Sequence, residues 1–251
     1  MNPALKKIPE VTLLFWVMKI CATTLGETAG DQLAQTMNIG YAVSSLLLLG
    51  FFLITLLGQL AASRYVPVLY WAVILATSTA GTTLSDYMDR TLGLGYATGS
   101  AILATLLLVV LGLWWVSEKS LSVTQIRSRK AELFYWTAIL VSNTLGTALG
   151  DYLADDSGLG FGGGALLLGS LLALVTLAYY FTRLPRVLLF WVAFVLTRPF
   201  GATFGDLLTK SPEKHGLGFG TSGSSLLLLG ILVVLILVDS RQLRRSRELA
   251  G

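Results

Sequence analysis

Residues Trp16–Asp31 read W-V-M-K-I-C-A-T-T-L-G-E-T-A-G-D. Three later stretches keep the same frame. Trp71–Asp86 ends S-T-A-G-T-T-L-S-D, Trp136–Asp151 ends N-T-L-G-T-A-L-G-D, and Trp191–Asp206 ends R-P-F-G-A-T-F-G-D. In each, the aspartate follows the tryptophan by 15 positions. The surroundings are apolar, and an ionisable side chain inside a membrane segment is costly and marks a functional position by default. Four copies in register predict a polar site built at one depth.

The frame sets the organisation of the chain. Its tryptophans are 55, 65 and 55 residues apart. The longer middle spacing divides the 251 residues into two units, 1–120 with repeats 1 and 2 and 121–251 with repeats 3 and 4 and a basic tail. Each repeat reads as two helices. The odd helix carries the Trp…Asp frame, and the even helix starts at a glycine–aromatic pair: Gly40-Tyr41, Gly95-Tyr96, Gly160-Phe161 or Gly218-Phe219. From Asp to this Gly is 9, 9, 9 and 12 residues, so the fourth repeat has an insertion around Ser211–Lys214. The expected helices span 9–31, 41–60, 66–87, 96–116, 132–152, 161–182, 186–208 and 219–238.

Composition places these helices in a membrane. Apolar residues make up 54% of the chain and charged residues 13%, about half the charge of a soluble domain. The fold class is therefore an all-α membrane protein of eight transmembrane helices, built from four parallel two-helix repeats in two pseudo-symmetric halves. Lys19 and the first copy of the frame interrupt the N-terminal apolar run, which argues for a span rather than a signal peptide. Thirteen Lys and Arg, among them Lys6, Lys7, Arg127 and Arg247, lie on the side of the termini and the connections between repeats. The turns within repeats hold only Arg90, Lys210 and Lys214. The positive-inside rule then puts both termini in the cytoplasm, with the protein in the inner membrane. The pI near 9.2 reflects this anchoring to the lipid bilayer, so no nucleic-acid partner is expected.

The repeat resembles a bacterial membrane-protein family defined by four tandem copies of a repeat of unknown function. In that family each copy has two transmembrane regions and a characteristic tryptophan. The resemblance covers nearly the whole chain and implies an integral membrane protein of eight spans. It implies no catalytic residues. A shorter likeness lies at Glu27–Asp31. E-T-A-G-D is similar to the E-x-G-D-[KR]-[ST] signature of a family of calcium and manganese exchangers, with the acids one residue further apart and Gln32 in place of the basic residue. This serves as a hint about chemistry, not as homology.

Turning about 100° per residue from each Trp puts the Asp near 60° on the helical wheel. Thr24, Thr79 and Thr144 fall near 80°, with Pro199 in the fourth copy. Positions eleven and twelve hold Glu27/Thr28, Thr82/Thr83, Thr147/Ala148 and Ala202/Thr203. The expected metal ligands are Glu27, Asp31, Asp86, Asp151 and Asp206. Thr24, Thr28, Thr79, Thr83, Thr144, Thr147 and Thr203 are expected to line the substrate path. Carboxylates beside hydroxyls suit hard cations such as Mg²⁺, Ca²⁺ or Mn²⁺, or a proton. The bland alternative makes each Asp a turn or helix-end residue.

Lys19 and Arg198 stand in apolar frames and join the gating set. Lys19 can snorkel toward the cytoplasmic interface. Arg198, beside the helix-breaking Pro199, can pair with Asp206 or Glu27, or hold the site in its ion-free state. The small residues Gly26/Gly30, Gly81/Ser85, Gly146/Gly150 and Gly201/Gly205 predict close helix contact. The Trp residues, with Tyr70 and Tyr135, read as an interfacial belt. One histidine, His215, and one cysteine, Cys21, leave no Ser/His/Asp or Cys/His set, so an enzyme is not expected, and neither is a cofactor. The expected function is a transporter of a divalent cation, with export coupled to proton entry through the same carboxylates. The alternatives are a transporter of a small organic solute, or a membrane scaffold or sensor.

Overall fold

The computed structural model describes residues 7–123, 126 and 128–248. Lys6 and Arg127, two of the charges that set the expected orientation, lie outside the described residues. Among the described residues the fold is eight α-helices without a strand: α1 Leu13–Asp31, α2 Tyr41–Ala61, α3 Pro67–Asp86, α4 Tyr96–Glu118, α5 Arg129–Asp151, α6 Gly160–Phe181, α7 Arg186–Thr209 and α8 Thr221–Glu248. Six of them, α2, α3, α4, α6, α7 and α8, are long and apolar enough to cross a membrane. The other two, α1 and α5, have 19 and 23 residues. Their apolar side chains are diluted by buried polar ones, including Lys19, Glu27 and Asp31 in α1 and Glu132, Asn143 and Asp151 in α5.

Local signals set the ends of the elements. Thr12 caps α1 by accepting from the Phe15 amide, and Ser128 caps α5 by accepting from Ala131. Such caps satisfy amides that have no partner within the helix. After the Asp, the odd helices of repeats 1, 2 and 3 run on into a five-residue π-helical turn: Gln32–Thr36, Tyr87–Thr91 and Tyr152–Asp156. Repeat 4 has instead a short 3₁₀ turn at Pro212–Lys214, in the insertion. The glycine of each glycine–aromatic pair has a positive φ: 82° at Gly40, 74° at Gly95, 67° at Gly160 and 73° at Gly218. Only glycine adopts this conformation without a steric penalty, which accounts for the Gly in every glycine–aromatic pair.

The odd helices form the interior. They close a ring in the order α1, α3, α5, α7 and back to α1. Each even helix lies outside, against the odd helix of the next repeat: α2 on α3, α4 on α5, α6 on α7, and α8 on α1. The glycine ten positions after each Trp faces the residue seven after the Trp of the next helix. Gly26 meets Ser78, Gly81 meets Asn143, Gly146 meets Arg198, and Gly201 meets Thr23. One turn further, Gly30 meets Thr82, Gly150 meets Ala202 and Gly205 meets Glu27. The contacting positions advance together, so the odd helices run parallel. This is the close approach that small residues permit.

A Cβ at Gly81 would lie 2.9 Å from the Thr144 amide nitrogen and 3.0 Å from the Asn143 carbonyl carbon. Backbone atoms there cannot step aside. Gly81→Val is therefore expected to destabilise the bundle by about 1–3 kcal/mol, the usual scale of overpacking. Thermal unfolding in detergent, compared with the wild type and Gly230→Val, checks this; nothing lies within 4 Å of a Cβ at Gly230.

Three of the four repeat tryptophans correct the interfacial-belt reading: Trp71 and Trp136 are 1% exposed and Trp191 is 6% exposed, inside the protein, whereas Trp16 is half-buried and Trp115 is exposed. Tyr70 and Tyr135 are fully buried, with their hydroxyls 2.6 Å apart. With Phe15 and Trp114 these rings make an aromatic plug at the Trp end of the ring. Each of the four odd helices contributes rings to it: Phe15, Tyr70 with Trp71, Tyr135 with Trp136, and Trp191.

Candidate functional site

A four-residue period lines the inside of the ring. Three positions after each Trp stand Lys19, Ile74, Ile139 and Phe194; at seven, Thr23, Ser78, Asn143 and Arg198; at eleven, Glu27, Thr82, Thr147 and Ala202; at fifteen, Asp31, Asp86, Asp151 and Asp206. All sixteen side chains are buried. Successive layers are about 6 Å apart along a helix. A column of polar and charged groups thus runs from the aromatic plug to the aspartates.

Lys19 is fully buried, which corrects the snorkelling option. Its ammonium donates to Asn143 Oδ1 at 3.3 Å and lies 4.0 Å from the centre of the Phe194 ring. Asn143 in turn donates to Thr77 at 2.9 Å. An amide oxygen and a ring face are weak substitutes for a counter-charge, so this is the least compensated charge in the column.

Arg198 is also fully buried. Of its two expected partners it takes Glu27, through Nη1 and Oε2 at 2.9 Å. Nη2 donates to Thr82 and Thr147, each at 2.6 Å. One guanidinium therefore links α1, α3, α5 and α7. Pro199 lies within α7, whose helix continues through it to Thr209.

The aspartate layer has two nodes. Lys210 contacts Asp31 Oδ2 at 2.6 Å and Asp206 Oδ1 at 3.1 Å. Arg90 contacts Asp86 Oδ1 at 2.9 Å and Asp151 Oδ2 at 3.1 Å. Each cation stands four residues after the Asp of its own repeat and reaches the Asp of the next. Gln35 holds the equivalent position in repeat 1 and donates to Asp31 at 2.5 Å. Burial works against the charge of Lys210, but Asp206 and Asp31 outweigh it and hold its pKa above the ordinary lysine value. Glu27, Asp31 and Asp206 each present an oxygen within 4.8 Å of the others, a separation open to one shared cation. Three carboxylates are a hard ligand set.

The ring brings Glu27, the four aspartates, Thr147 and Arg198 into one column. Lys19 lies in the same column, and the other expected path threonines make no hydrogen bond to the column's charged groups. Thr24, Thr79, Thr144 and Thr203 donate to backbone carbonyls of their own helices, at Ile20, Leu75, Leu140 and Pro199. Thr83 donates to Ala80, and Thr28 donates to Leu25 and accepts from Ser225 of α8. A threonine in an apolar helix satisfies its hydroxyl this way. Arg90 and Lys210 were absent from the expected site, and the sequence signal for them is a basic residue one helical turn beyond Asp86 and Asp206.

A ring of four parallel helices around a buried charged column, with an outer layer of apolar helices, defines a multi-pass membrane protein made of internal repeats. The model for the family described as Repeat of Unknown Function (DUF347) matches residues 14–65, 69–120, 134–184 and 189–245, and the chain belongs to that family. No curated protein and no solved structure matches the chain.

Proposed function

We propose that the protein is a cation transporter, with a divalent metal as the cargo and the Glu27–Asp31–Asp206 cluster as its binding point. The supporting observation is that Asp31 and Asp206, from the first and last odd helices, share one tethered ammonium at 2.6 and 3.1 Å. A place held by a side-chain cation suits a free one. In this reading all eight helices span the inner membrane with both termini cytoplasmic, and two pseudo-symmetric halves rearrange around the column. Protons returning on the carboxylates drive export.

The cost of the column supports transport over a scaffold. Five carboxylates and two cations, Lys19 and Arg198, are buried where apolar side chains of similar volume would hold the helices with less desolvation. Charges of this kind in membrane helices mark ion pathways. A second cargo class, a small organic amine, draws on the chemistry of the tethered group, which is an alkylammonium.

The test is uptake of Mn²⁺, Ca²⁺ and Mg²⁺ by proteoliposomes, with and without a pH gradient. Wild-type flux is expected to saturate, and Asp31→Asn is expected to lose it while melting as a folded protein. Absence of flux for every metal ion, from folded wild type, would overturn the metal reading; an alkylamine tested in the same vesicles separates the second cargo class from a scaffold.

A further inference from the structure

The two nodes of the aspartate layer are related by position but not by chemistry or backbone. Arg90 belongs to the π-helical turn Tyr87–Thr91, so its backbone is fixed by the helix that carries Asp86. Its guanidinium reaches Asp86 through Nε and Asp151 through Nη2, two nitrogens of one rigid fork. Such a fork is permanently charged and held by several directed bonds. Lys210 differs on each count. It follows the last residue of α7, with extended backbone (ψ 153°), and leads into the insertion found only in repeat 4. Its ammonium is a point charge on a flexible stem.

At both nodes a buried carboxylate oxygen has no donor aligned on it: Asp206 Oδ1, with the ammonium 3.1 Å away, and Asp86 Oδ1, with Arg90 Nε 2.9 Å away. Glu27 stands in the next layer, held by Arg198 through Oε2. The charged groups facing the Lys210 node are thus Glu27 and Asp31 from α1, Asp206 from α7, Lys210 itself, and Arg198 beneath. Three carboxylates against two cations leave room for one more positive charge. A divalent ion that replaced the ammonium would bring the node to neutrality.

We propose, resting on the cation-transport reading, that Lys210 is a tethered competitor of the cargo. Its ammonium holds Asp31 and Asp206 between transport events and swings out on its stem when a divalent cation binds Glu27, Asp31 and Asp206. Arg90 stays on Asp86 and Asp151 throughout, as a fixed staple between α3 and α5. The bundle then has one working node and one structural node.

The probe is Mn²⁺, titrated into purified full-length protein in detergent, with proteoliposome flux measured in parallel. Lys210→Met is expected to bind Mn²⁺ about tenfold more tightly, the scale of one charged hydrogen bond no longer displaced. Its flux saturates at lower concentration and turns over more slowly, because nothing returns to expel the ion. Lys210→Arg is expected to bind about tenfold more weakly, as a fork on two carboxylates is harder to displace. Arg90→Met gains no affinity. Lys210→Gln replaces Lys210→Met if the methionine variant does not fold. Saturable wild-type flux with unchanged or weaker binding in the Lys210→Met or Lys210→Gln variant would overturn the competitor role and leave transport standing. Folded wild type with neither binding nor flux of Mn²⁺, Ca²⁺ or Mg²⁺ would overturn both.

Discussion

Arg198→Met should lower the stability of the folded bundle by about 3–5 kcal/mol, the scale for removing one partner of a buried ion pair. The loss comes less from the missing attraction than from what remains. Glu27 is 3% exposed and has the Arg198 guanidinium as its ion-pair partner, at 2.9 Å. Without it, a carboxylate is stranded among apolar and hydroxyl groups. Thr82 and Thr147 lie 3.4 Å from the same oxygen, and they cannot replace a full charge. The rescue follows from the same account. Arg198→Met with Glu27→Met removes both charges, and an apolar pair of similar volume is often neutral or stabilising. Denaturant unfolding of both variants checks this. A single variant as stable as the wild type, or a double variant no better than the single, would show that the pair does not govern the centre of the ring.

Trp136→Ala is expected to fall near the lower end of the roughly 3–5 kcal/mol cost of aromatic-to-alanine changes in packed cores. Trp136 is 1% exposed, with its ring centre 5.5 Å from that of Tyr70 and 5.0 Å from that of Tyr135. Its indole Nε1 has no hydrogen-bond partner among the described residues, so its contribution is contact alone. In a bilayer the separated helices stay in an apolar phase, which reduces the transfer component of the cost. The cavity component remains, because rigid neighbouring rings cannot collapse into the gap. Trp136→Phe should recover most of the loss. Thermal unfolding of the two variants tests this, and an alanine variant within about 0.5 kcal/mol of wild type, the range of ordinary surface changes, would return the tryptophan to the lipid interface.

The helices were legible because the apolar runs and their punctuation coincide. Expected 41–60 and 186–208 compare with Tyr41–Ala61 and Arg186–Thr209. The largest difference is at α8, which continues to Glu248 rather than ending at 238. Hydropathy stops at the end of the apolar run, but Leu, Gln, Arg and Glu are good helix formers and carry the helix onward. The site was legible only in part. A wheel centred on the aspartate favours the residues eight and twelve after Trp. The ring instead follows the four-residue ridge, which advances by about 40° with each layer. Thr82, Thr147 and Arg198 thereby reach the centre, while Thr24, Thr79 and Thr144 bond to their own helices. Arg90 and Lys210 look like loop charges in the sequence. Only the meeting of neighbouring repeats turns them inward.

The closing of the ring on itself sets an order of assembly. During synthesis α1 is the first helix to be made, yet two of its three neighbours, α7 and α8, are the last. Glu27 meets Arg198 across 171 positions of chain, and Asp31 meets Lys210 across 179. Until then α1 carries two acids whose counter-charges have not been translated. The seam between the first and last repeats is the keystone of the bundle. A chain shortened by its final repeat would lose the tethered cations of α1 along with the helices that shield them, and would be left as an open arc with charge along its edge.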